Sequence, residues 1–217
     1  MSGVDGTLRL VLVSAVRTAA WSVEQALTRL AFGSHVALRL LQLRSWLSDR
    51  LLGMAESDVL SVLALLDRGG VRVWVAGGWG VDAVVGHRTR RHSDLDLVLT
   101  TDEAVEVAAG ILHDHGYTQR TDESWDTPAL PRRVVVRDQA GRSVDLHVVD
   151  PHAHPFGPAG KVNDGFGFTS GMLGGQPVPC LTGRTQLALK AHHAPRAKDL
   201  RDQRLLLSRL AASPSHG

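Results

Sequence analysis

The fold of this chain is decided by the stretch Val73–Leu99, which reads VWVAGGWGVDAVVGHRTRRHSDLDLVL. Its first apolar run, Val73–Ala76, predicts a short strand that ends at the glycine pair Gly77–Gly78. The next residues, roughly Trp79–Val85, predict a helix whose first N–H groups have no partner inside the helix and can bind an anion. Paired glycines also let a ligand approach the backbone closely. The stretch therefore predicts an anion-binding turn between a strand and a helix.

The end of the same stretch, Asp94–Leu99, alternates polar and apolar residues with a period of two. Asp94 and Asp96 therefore share one face of a strand, while the leucines beside them point into a core. Carboxylate oxygens are ligands that suit Mg²⁺, and paired carboxylates can bridge two such ions ~3.5–4 Å apart. An anion site beside two carboxylates predicts a place for a metal-bound triphosphate.

A predicted hairpin supplies a third carboxylate in the same pattern. Val134–Val136 leads into a turn at residues 139–142, and Ser143–Val149 returns. On the returning strand Asp145 and His147 face one way and the aliphatic residues the other. Asp145 can complete a metal site or accept the proton of an attacking hydroxyl, although a lone acid on a solvated strand face is the alternative.

These motifs resemble those of the lincosamide and aminoglycoside 2''-nucleotidyltransferase group, within the DNA polymerase β-like nucleotidyltransferase superfamily. The resemblance covers roughly Asp58 to Leu207 and is specific because the Gly-Gly and Asp-x-Asp motifs occur at this spacing with a later Val-Asp-Leu-His. The residues that carry it are Gly77–Asp82, Gly86, Thr89, Arg90, His92, Asp94–Asp96, Arg137, Asp138, Gly141, Val144–His147, Val178–Leu181, Gln186, Lys198, Asp199 and Asp202.

The resemblance implies an α+β fold: a polymerase β-like core with a small mixed sheet flanked by helices. It implies Mg²⁺-dependent transfer of a nucleoside monophosphate from an NTP, with ATP favoured, to a hydroxyl of an aminoglycoside- or lincosamide-type acceptor, releasing pyrophosphate. Asp94, Asp96 and Asp145 would hold Mg²⁺, two ions in all, and Asp145 would also be the general base. The residues expected to bind the nucleotide are Gly77, Gly78, Trp79, Thr89, Arg90 and Lys198. Lys198 is equally well explained as an exposed lysine on a helix. The run Thr89–His92 is equally well explained as a solvated turn.

Three segments are predicted: a basic helical extension over 1–53, the nucleotidyltransferase core over 54–181, and C-terminal helices over 182–217 that pack on the core. The extension has a helical apolar period and carries six arginines against three acids. It is interpreted as a hairpin packed on the core, as a surface for RNA or a partner, or as a stretch upstream of a natural start at Met54.

The remaining helices and loops are predicted from helix-capping residues and from the spacing of apolar residues. Ser57 is expected to cap a helix that ends at Gly69–Gly70, and another helix is expected over about Glu103–His115. The residues Thr121–Arg132 are predicted to form a loop. A long loop with a short strand or two is expected over Pro151–Gly175, and two helices close the chain over about 183–192 and 197–210.

Length, charge, cysteine content and hydropathy limit the classes of protein to which the chain can belong. The 217 residues have a formal charge of +2 and a single cysteine, Cys180, which favours a reducing compartment and a buried thiol over a nucleophile. With no apolar run near the ~20 residues that span a bilayer, a cytoplasmic protein without membrane contact is predicted. A zinc cluster of His147, His152 and His154 is a weaker interpretation because the spacing matches no strong ligand pattern.

The acceptor is the least determined part of the prediction. The alternative to a small antibiotic is RNA, tRNA or a protein, as for a toxin paired with an antitoxin, and the arginine-rich extension favours it modestly.

Overall fold

The computed structural model of the protein describes residues 53–124, 130–150, 167–191 and 196–212. The helices of these residues are α1 (Glu56–Arg68), α2 (Gly77–Val85), α3 (Asp102–Asp114), α4 (Gly183–Ala191) and α5 (Ala197–Ala212). The strands are β1 (Trp74–Val75), β2 (Asp94–Leu99), β3 (Tyr117–Ser124), β4 (Arg132–Asp138), β5 (Ser143–Val148), β6 (Phe168–Leu173) and β7 (Gln176–Leu181).

The seven strands form one mixed sheet in the order β3-β4-β5-β2-β1-β7-β6. β2 pairs in parallel with β5 and antiparallel with β1, so β2 lies between neighbours that run in opposite directions. β1 in turn pairs in parallel with β7, and the other neighbours are antiparallel. The predicted α+β class with a mixed sheet flanked by helices is confirmed.

The main core lies on the sheet face opposite the aspartates of β2. Leu95, Leu97 and Leu99 are fully buried there, as the alternation predicted. Helices α1 and α3 contribute to the same core, with Leu66 and Leu112 among the fully buried side chains. Burial of this kind is worth about 2–5 kcal/mol for each leucine lost to alanine, so this face holds β2 firmly in place.

Cys180 is also fully buried in this core, and burial raises the pKa of its thiol to about 11. The interpretation of Cys180 as a buried structural residue is confirmed.

The predicted start of the first helix is wrong by two residues. The N-cap is Ala55, not Ser57, because the carboxylate of Asp58 accepts a hydrogen bond from the Ala55 N–H at 3.1 Å. The predicted end is confirmed, since Gly69 follows the last helical residue and its N–H bonds to the Leu65 carbonyl. The helix after β2 is confirmed too, with the Thr101 hydroxyl capping it through the Ala104 N–H.

The predicted loop over Thr121–Arg132 is wrong at both ends, since Thr121 lies within β3 and Arg132 is the first residue of β4. Strand β3 continues to Ser124, and its polar residues pair along the length of β4. Cross-strand ion pairs offset the low strand propensity of these acids. Arg132 binds Asp122 at 2.6 Å and Arg133 binds Glu123 at 3.4 Å.

The hairpin of β4 and β5, the strand β6 and the two closing helices occur where the sequence predicted them. The extension over 1–53, apart from its last residue, lies outside the described residues, and so do His152 and His154. In the part of the chain that the structure describes, no helix is long and apolar enough to span a bilayer. The cytoplasmic location stays a prediction.

Candidate active site

Two carboxylates come together where β2 and β5 run side by side. The parallel register places Asp96 directly beside Asp145, so both side chains point to the sheet face opposite the main core. The sequence predicts the alternation within each strand, and the pairing of the strands brings the two acids level.

His147 is a third member of this cluster. Carboxylate oxygens of Asp96 and Asp145 and a ring nitrogen of His147 lie within 4.8 Å of one another. The His147 Nε2 atom is 3.3 Å from Asp96 Oδ1. Burial raises the pKa of Asp96, but the hydrogen bond and charge of His147, with the charges of Arg133 and Lys190, outweigh it and hold the pKa below its ordinary value. Asp96 is therefore an ionised carboxylate at neutral pH.

Asp94 lies on the same face of β2, two residues before Asp96. It is paired with Ser143 in the register and is half-buried, and its carboxylate is outside the cluster of Asp96, Asp145 and His147. The Ser143 hydroxyl, in turn, donates to Asp145 Oδ1 at 3.0 Å. The structure thus brings together two of the three predicted metal-binding carboxylates and places Asp94 next to them.

Arg133 of β4 occupies the other oxygen of Asp145. Its guanidinium donates through Nε at 3.2 Å and through Nη2 to Asp145 Oδ2. Glu123 on β3 accepts from the same guanidinium at 3.4 Å. Because both oxygens of Asp145 have partners, a metal or a proton reaches Oδ2 only if Arg133 moves aside.

The cluster fits a divalent cation by its chemistry. Carboxylate oxygens suit Mg²⁺, Mn²⁺ and Ca²⁺, and an imidazole nitrogen is a usual ligand of transition metals. Asp96 and Asp145 therefore fit the predicted magnesium, and His147 widens the range of ions that the donor set can hold.

The glycine turn lies against these carboxylates. Gly77 has a positive φ of 58°, and a Cβ there would overlap Asp96 Oδ2 and lie 2.7 Å from the Asp96 Cγ atom. The turn is tied to β2 by the Ala76 N–H, which donates to the Asp96 carbonyl at 2.9 Å. Only glycine fits between this backbone and Asp96, which explains the residue type at the turn.

The N-terminus of α2 has no side-chain cap, and a buried histidine faces it. A Cβ on Gly78 would lie 2.7 Å from His92 Cε1 and 2.8 Å from Arg90 Nη2. His92 is 1% exposed, and its Nδ1 atom has no hydrogen-bond partner among the described residues. The neutral His92 ring donates through Nε2 to Asp82 and has only a lone pair at Nδ1. The uncapped N-terminus of α2, with the Arg90 guanidinium beside Gly78, is therefore the site for an anion.

The loop between α2 and β2 is held by Asp82, so it is not a solvated turn. Asp82 is fully buried, and its Oδ2 atom lies 2.5 Å from His92 Nε2. The other oxygen accepts from the N–H and the hydroxyl of Thr89 at 3.0 and 2.6 Å. Burial lowers the pKa of His92, and the Asp82 hydrogen bond offsets this only in part. Thr89 thus holds the loop in place, and its hydroxyl is directed to Asp82.

The other predicted nucleotide-binding residues are placed differently from one another. The Trp79 side chain is fully buried against His92, so only the backbone of Trp79 can contact a ligand at the turn. Arg90 reaches Gly78 and binds the buried Asp202 of α5. The Lys198 side chain, in the first turn of α5, makes no hydrogen bond or ion pair with the other residues that the structure describes.

Lys190 is not among the residues predicted from the sequence, and the structure places it at the site through its contact with Asp202. His92, His147 and Asp202 are among the residues that carry the resemblance, but none of them is among the predicted ligands of magnesium or contacts of the nucleotide. The contact of Lys190 joins two separate helices, which no local pattern reveals.

Comparison with known proteins identifies relatives of this arrangement. The model of the family described as aminoglycoside-2''-adenylyltransferase matches residues 58–206. A lincosamide resistance protein of Staphylococcus haemolyticus is 25% identical over 141 residues, which are 62% of this chain and 83% of that protein.

Two solved structures share the fold. The lincomycin-bound lincosamide antibiotic adenylyltransferase LnuA matches with a TM-score of 0.54 at 24% identity, covering 72% of this chain and 99% of that one. ANT(2'')-Ia in complex with adenylyl-2''-tobramycin matches with a TM-score of 0.51 at 20% identity, covering 71% and 88%.

The common fold and the matched family show that this protein is an enzyme of the nucleotidyltransferase class. The family model spans most of the described core. The chain belongs to the aminoglycoside-2''-adenylyltransferase family, as the sequence resemblance predicted. These relatives give no support to the alternative of an RNA or protein acceptor with an antitoxin partner.

Proposed function

We propose that the protein transfers AMP from ATP to a hydroxyl group of a small antibiotic of the aminoglycoside or lincosamide type and releases pyrophosphate. The observation that carries the proposal is the position of Asp96 beside Asp145, with the Gly77–Gly78 turn against them. The relatives support the choice of substrates, since their names and bound molecules are an antibiotic or its adenylylated product.

The turn and the start of α2 bind the triphosphate in this proposal. Backbone N–H groups at Gly78 and beyond point at the anion, and the helix dipole favours negative charge there. His92 and Arg90, which lie beside Gly78, line the same place. Trp79 and Thr89 support this region from within the fold.

The reaction forms one bond and breaks one. The acceptor hydroxyl oxygen attacks the α-phosphorus, the bond from that phosphorus to the bridging oxygen breaks, and pyrophosphate leaves. Asp145 accepts the hydroxyl proton in the role of general base. Arg133 has to release Asp145 Oδ2 for this, and Glu123 is the acid that keeps the displaced guanidinium nearby.

Asp94, Asp96 and Asp145 are the proposed ligands of magnesium, with two ions when ATP is bound. A divalent metal supplies charge neutralisation for the phosphate oxygens and orients the reacting groups. Asp96 and Asp145 already lie within reach of one ion, and His147 is placed to bind it or to orient Asp96.

The proposed catalytic unit is the core over 54–181 together with the helices over 182–217. Asp202 of α5 binds Arg90 at the turn, so the last helix supports the nucleotide site directly. No role is assigned to the extension over 1–53.

The test is transfer of label from α-³²P-labelled ATP, with Mg²⁺, to lincomycin, tobramycin or total tRNA in parallel reactions. Label on lincomycin or tobramycin supports the proposal and selects the acceptor. Label on tRNA alone, or on no acceptor, overturns it.

Two variants control this assay. Asp96→Asn should abolish transfer while leaving the fold intact, as judged by circular dichroism. Asp138→Asn changes a buried acid that binds Arg142 on the opposite face of the sheet, and it should leave transfer unchanged. Near-normal turnover by the Asp96 variant would contradict the assignment of this carboxylate.

A further inference from the structure

A buried acid of α5 holds two cations that come from separate parts of the chain. Asp202 is fully buried, and it accepts from Arg90 Nε at 3.2 Å and Nη2 at 3.1 Å. The Lys190 ammonium of α4 donates to the same carboxylate at 2.9 Å. Burial raises the pKa of Asp202, but the hydrogen bonds and charges of Arg90 and Lys190 outweigh it and hold the pKa below its ordinary value. Asp202 is therefore ionised, and its contacts join α5 to α4 and to the loop between α2 and β2.

Both cations lie beside the glycine turn. Arg90 Nη2 is 2.8 Å from where a Cβ of Gly78 would be. Lys190 binds the same Asp202 oxygen as that Arg90 nitrogen, so the two cations lie side by side.

Side-by-side cations repel each other, and Asp202 offsets that repulsion. Asp199 adds a weaker contact to Lys190 at 3.6 Å and is bound more closely by Arg196 at 2.9 Å. The Lys190 and Arg90 side chains are only 11% and 14% exposed. A buried charge cluster adds little net stability, because desolvation consumes most of the Coulomb energy. A role in binding therefore accounts for this cluster better than a role in stability alone.

We propose that Lys190 binds the triphosphate of the nucleotide together with Arg90, and that Asp202 is the positioning residue that holds both cations at the turn. This rests on the proposed function. It gives the phosphate-binding role to Lys190 in place of Lys198, whose side chain has no polar partner among the described residues.

The first experiment is calorimetric titration of ATP into the full-length protein without acceptor, so that no transfer occurs. Lys190→Ala should weaken ATP binding about tenfold or more, since a charge-assisted bond to phosphate is lost. Arg204→Ala, which removes an exposed cation of α5, is the control and should bind ATP as the wild type does. Tripolyphosphate, used as a competitor, should lose affinity for the Lys190 variant in the same proportion as ATP.

The positioning role is tested by a double-mutant cycle on ATP affinity. Asp202→Asn should weaken ATP binding, and the Asp202 and Lys190 changes together should weaken it by less than the product of their separate effects. Asp202→Glu keeps the charge and should restore part of the affinity. Asp138→Asn, which breaks a buried ion pair remote from the turn, should reduce stability without changing ATP affinity.

The outcomes separate the two proposals. If wild-type protein binds neither ATP nor any other NTP, the proposed function fails and this inference fails with it. If wild-type protein binds ATP and the Lys190 variant binds it equally well, only the inference is overturned. Independent, multiplicative effects of the Asp202 and Lys190 changes would refute the positioning role of Asp202.

Discussion

Gly77→Ala tests the contact between the glycine turn and Asp96, and Gly86→Ala is a matched control. Gly77 is the first residue of α2 and Gly86 follows the last one, and both have a positive φ, 58° and 90°, so alanine at either position incurs a left-handed backbone cost of about 1–2 kcal/mol. The surroundings differ. A Cβ at Gly86 meets nothing within 4 Å, whereas a Cβ at Gly77 overlaps the Asp96 carboxylate.

The difference between the two variants therefore measures the displacement of Asp96. Turning this side chain aside costs about 0.5–1.5 kcal/mol in rotamer strain and about 0.5–1.5 kcal/mol for the lost bond to His147. Gly77→Ala should be less stable than Gly86→Ala by about 1–3 kcal/mol. A misplacement of about 1 Å in a reacting site can reduce turnover about 10²-fold.

The assay combines urea unfolding with initial rates of transfer from labelled ATP. Gly86→Ala should keep a near-normal turnover despite its modest loss of stability. Gly77→Ala should lose most of its activity although it remains folded. Equal turnover in the two variants, with unfolding free energies within about 0.5 kcal/mol, would refute the reasoning about Asp96.

Three further predictions concern the carboxylates and the closing helices. Asp145→Asn should reduce kcat about 10²–10⁴-fold with little change in the dissociation constant of ATP, and an effect on ATP affinity alone would remove the role of general base and leave Asp145 as a metal ligand only. His147→Ala should weaken Mn²⁺ binding, followed by electron paramagnetic resonance, about 10–100-fold, whereas unchanged binding would exclude a role for His147 at the metal. For Asp199, burial raises the pKa, but the hydrogen bonds and charge of Arg196 outweigh burial and lower the pKa to about 2. The ionised Asp199 therefore stabilises the fold above about pH 4, and this stabilisation is lost as the pH falls toward 2. Asp199→Asn should accordingly lower the unfolding free energy by about 2 kcal/mol at pH 7 and by about half of that at pH 3 in urea titrations, and a deficit that is independent of pH would contradict the assignment.

The sequence was sufficient for the elements whose signal is local. The alternation of Asp94–Leu99 predicted β2 at its observed bounds, because buried aliphatic residues on one face leave a single way to orient the strand. Gly77 marked the junction of β1 and α2 correctly, since few other residues allow its positive φ, but α2 begins at Gly77 and includes Gly78, two residues before the predicted start at Trp79. Local signals of this kind do not depend on the rest of the chain.

Two predictions were wrong for different physical reasons. Ser57 is a better cap than Ala55 by propensity, yet the Asp58 side chain reaches back three residues to the Ala55 N–H and moves the helix start. This contact is local, and the cap preference of Ser57 concealed it. Residues of β3 resemble a loop by composition, and their pairing with β4 and with arginines makes them a strand. Only this second effect depends on which segments are neighbours.

The site itself depends on the registers of β2 with its two neighbours. Because β1 runs opposite to β2, its end delivers Gly77 to the carboxylate of Asp96, and because β5 runs parallel, Asp145 comes level with Asp96. A slip of one residue in β5 would turn Asp145 into the core and bring a leucine or valine to the open face. The fully buried Val144 and Leu146 make such a slip costly, since each would lose its buried apolar surface. The aliphatic residues of β5 therefore set the position of the catalytic carboxylate as much as they stabilise the sheet.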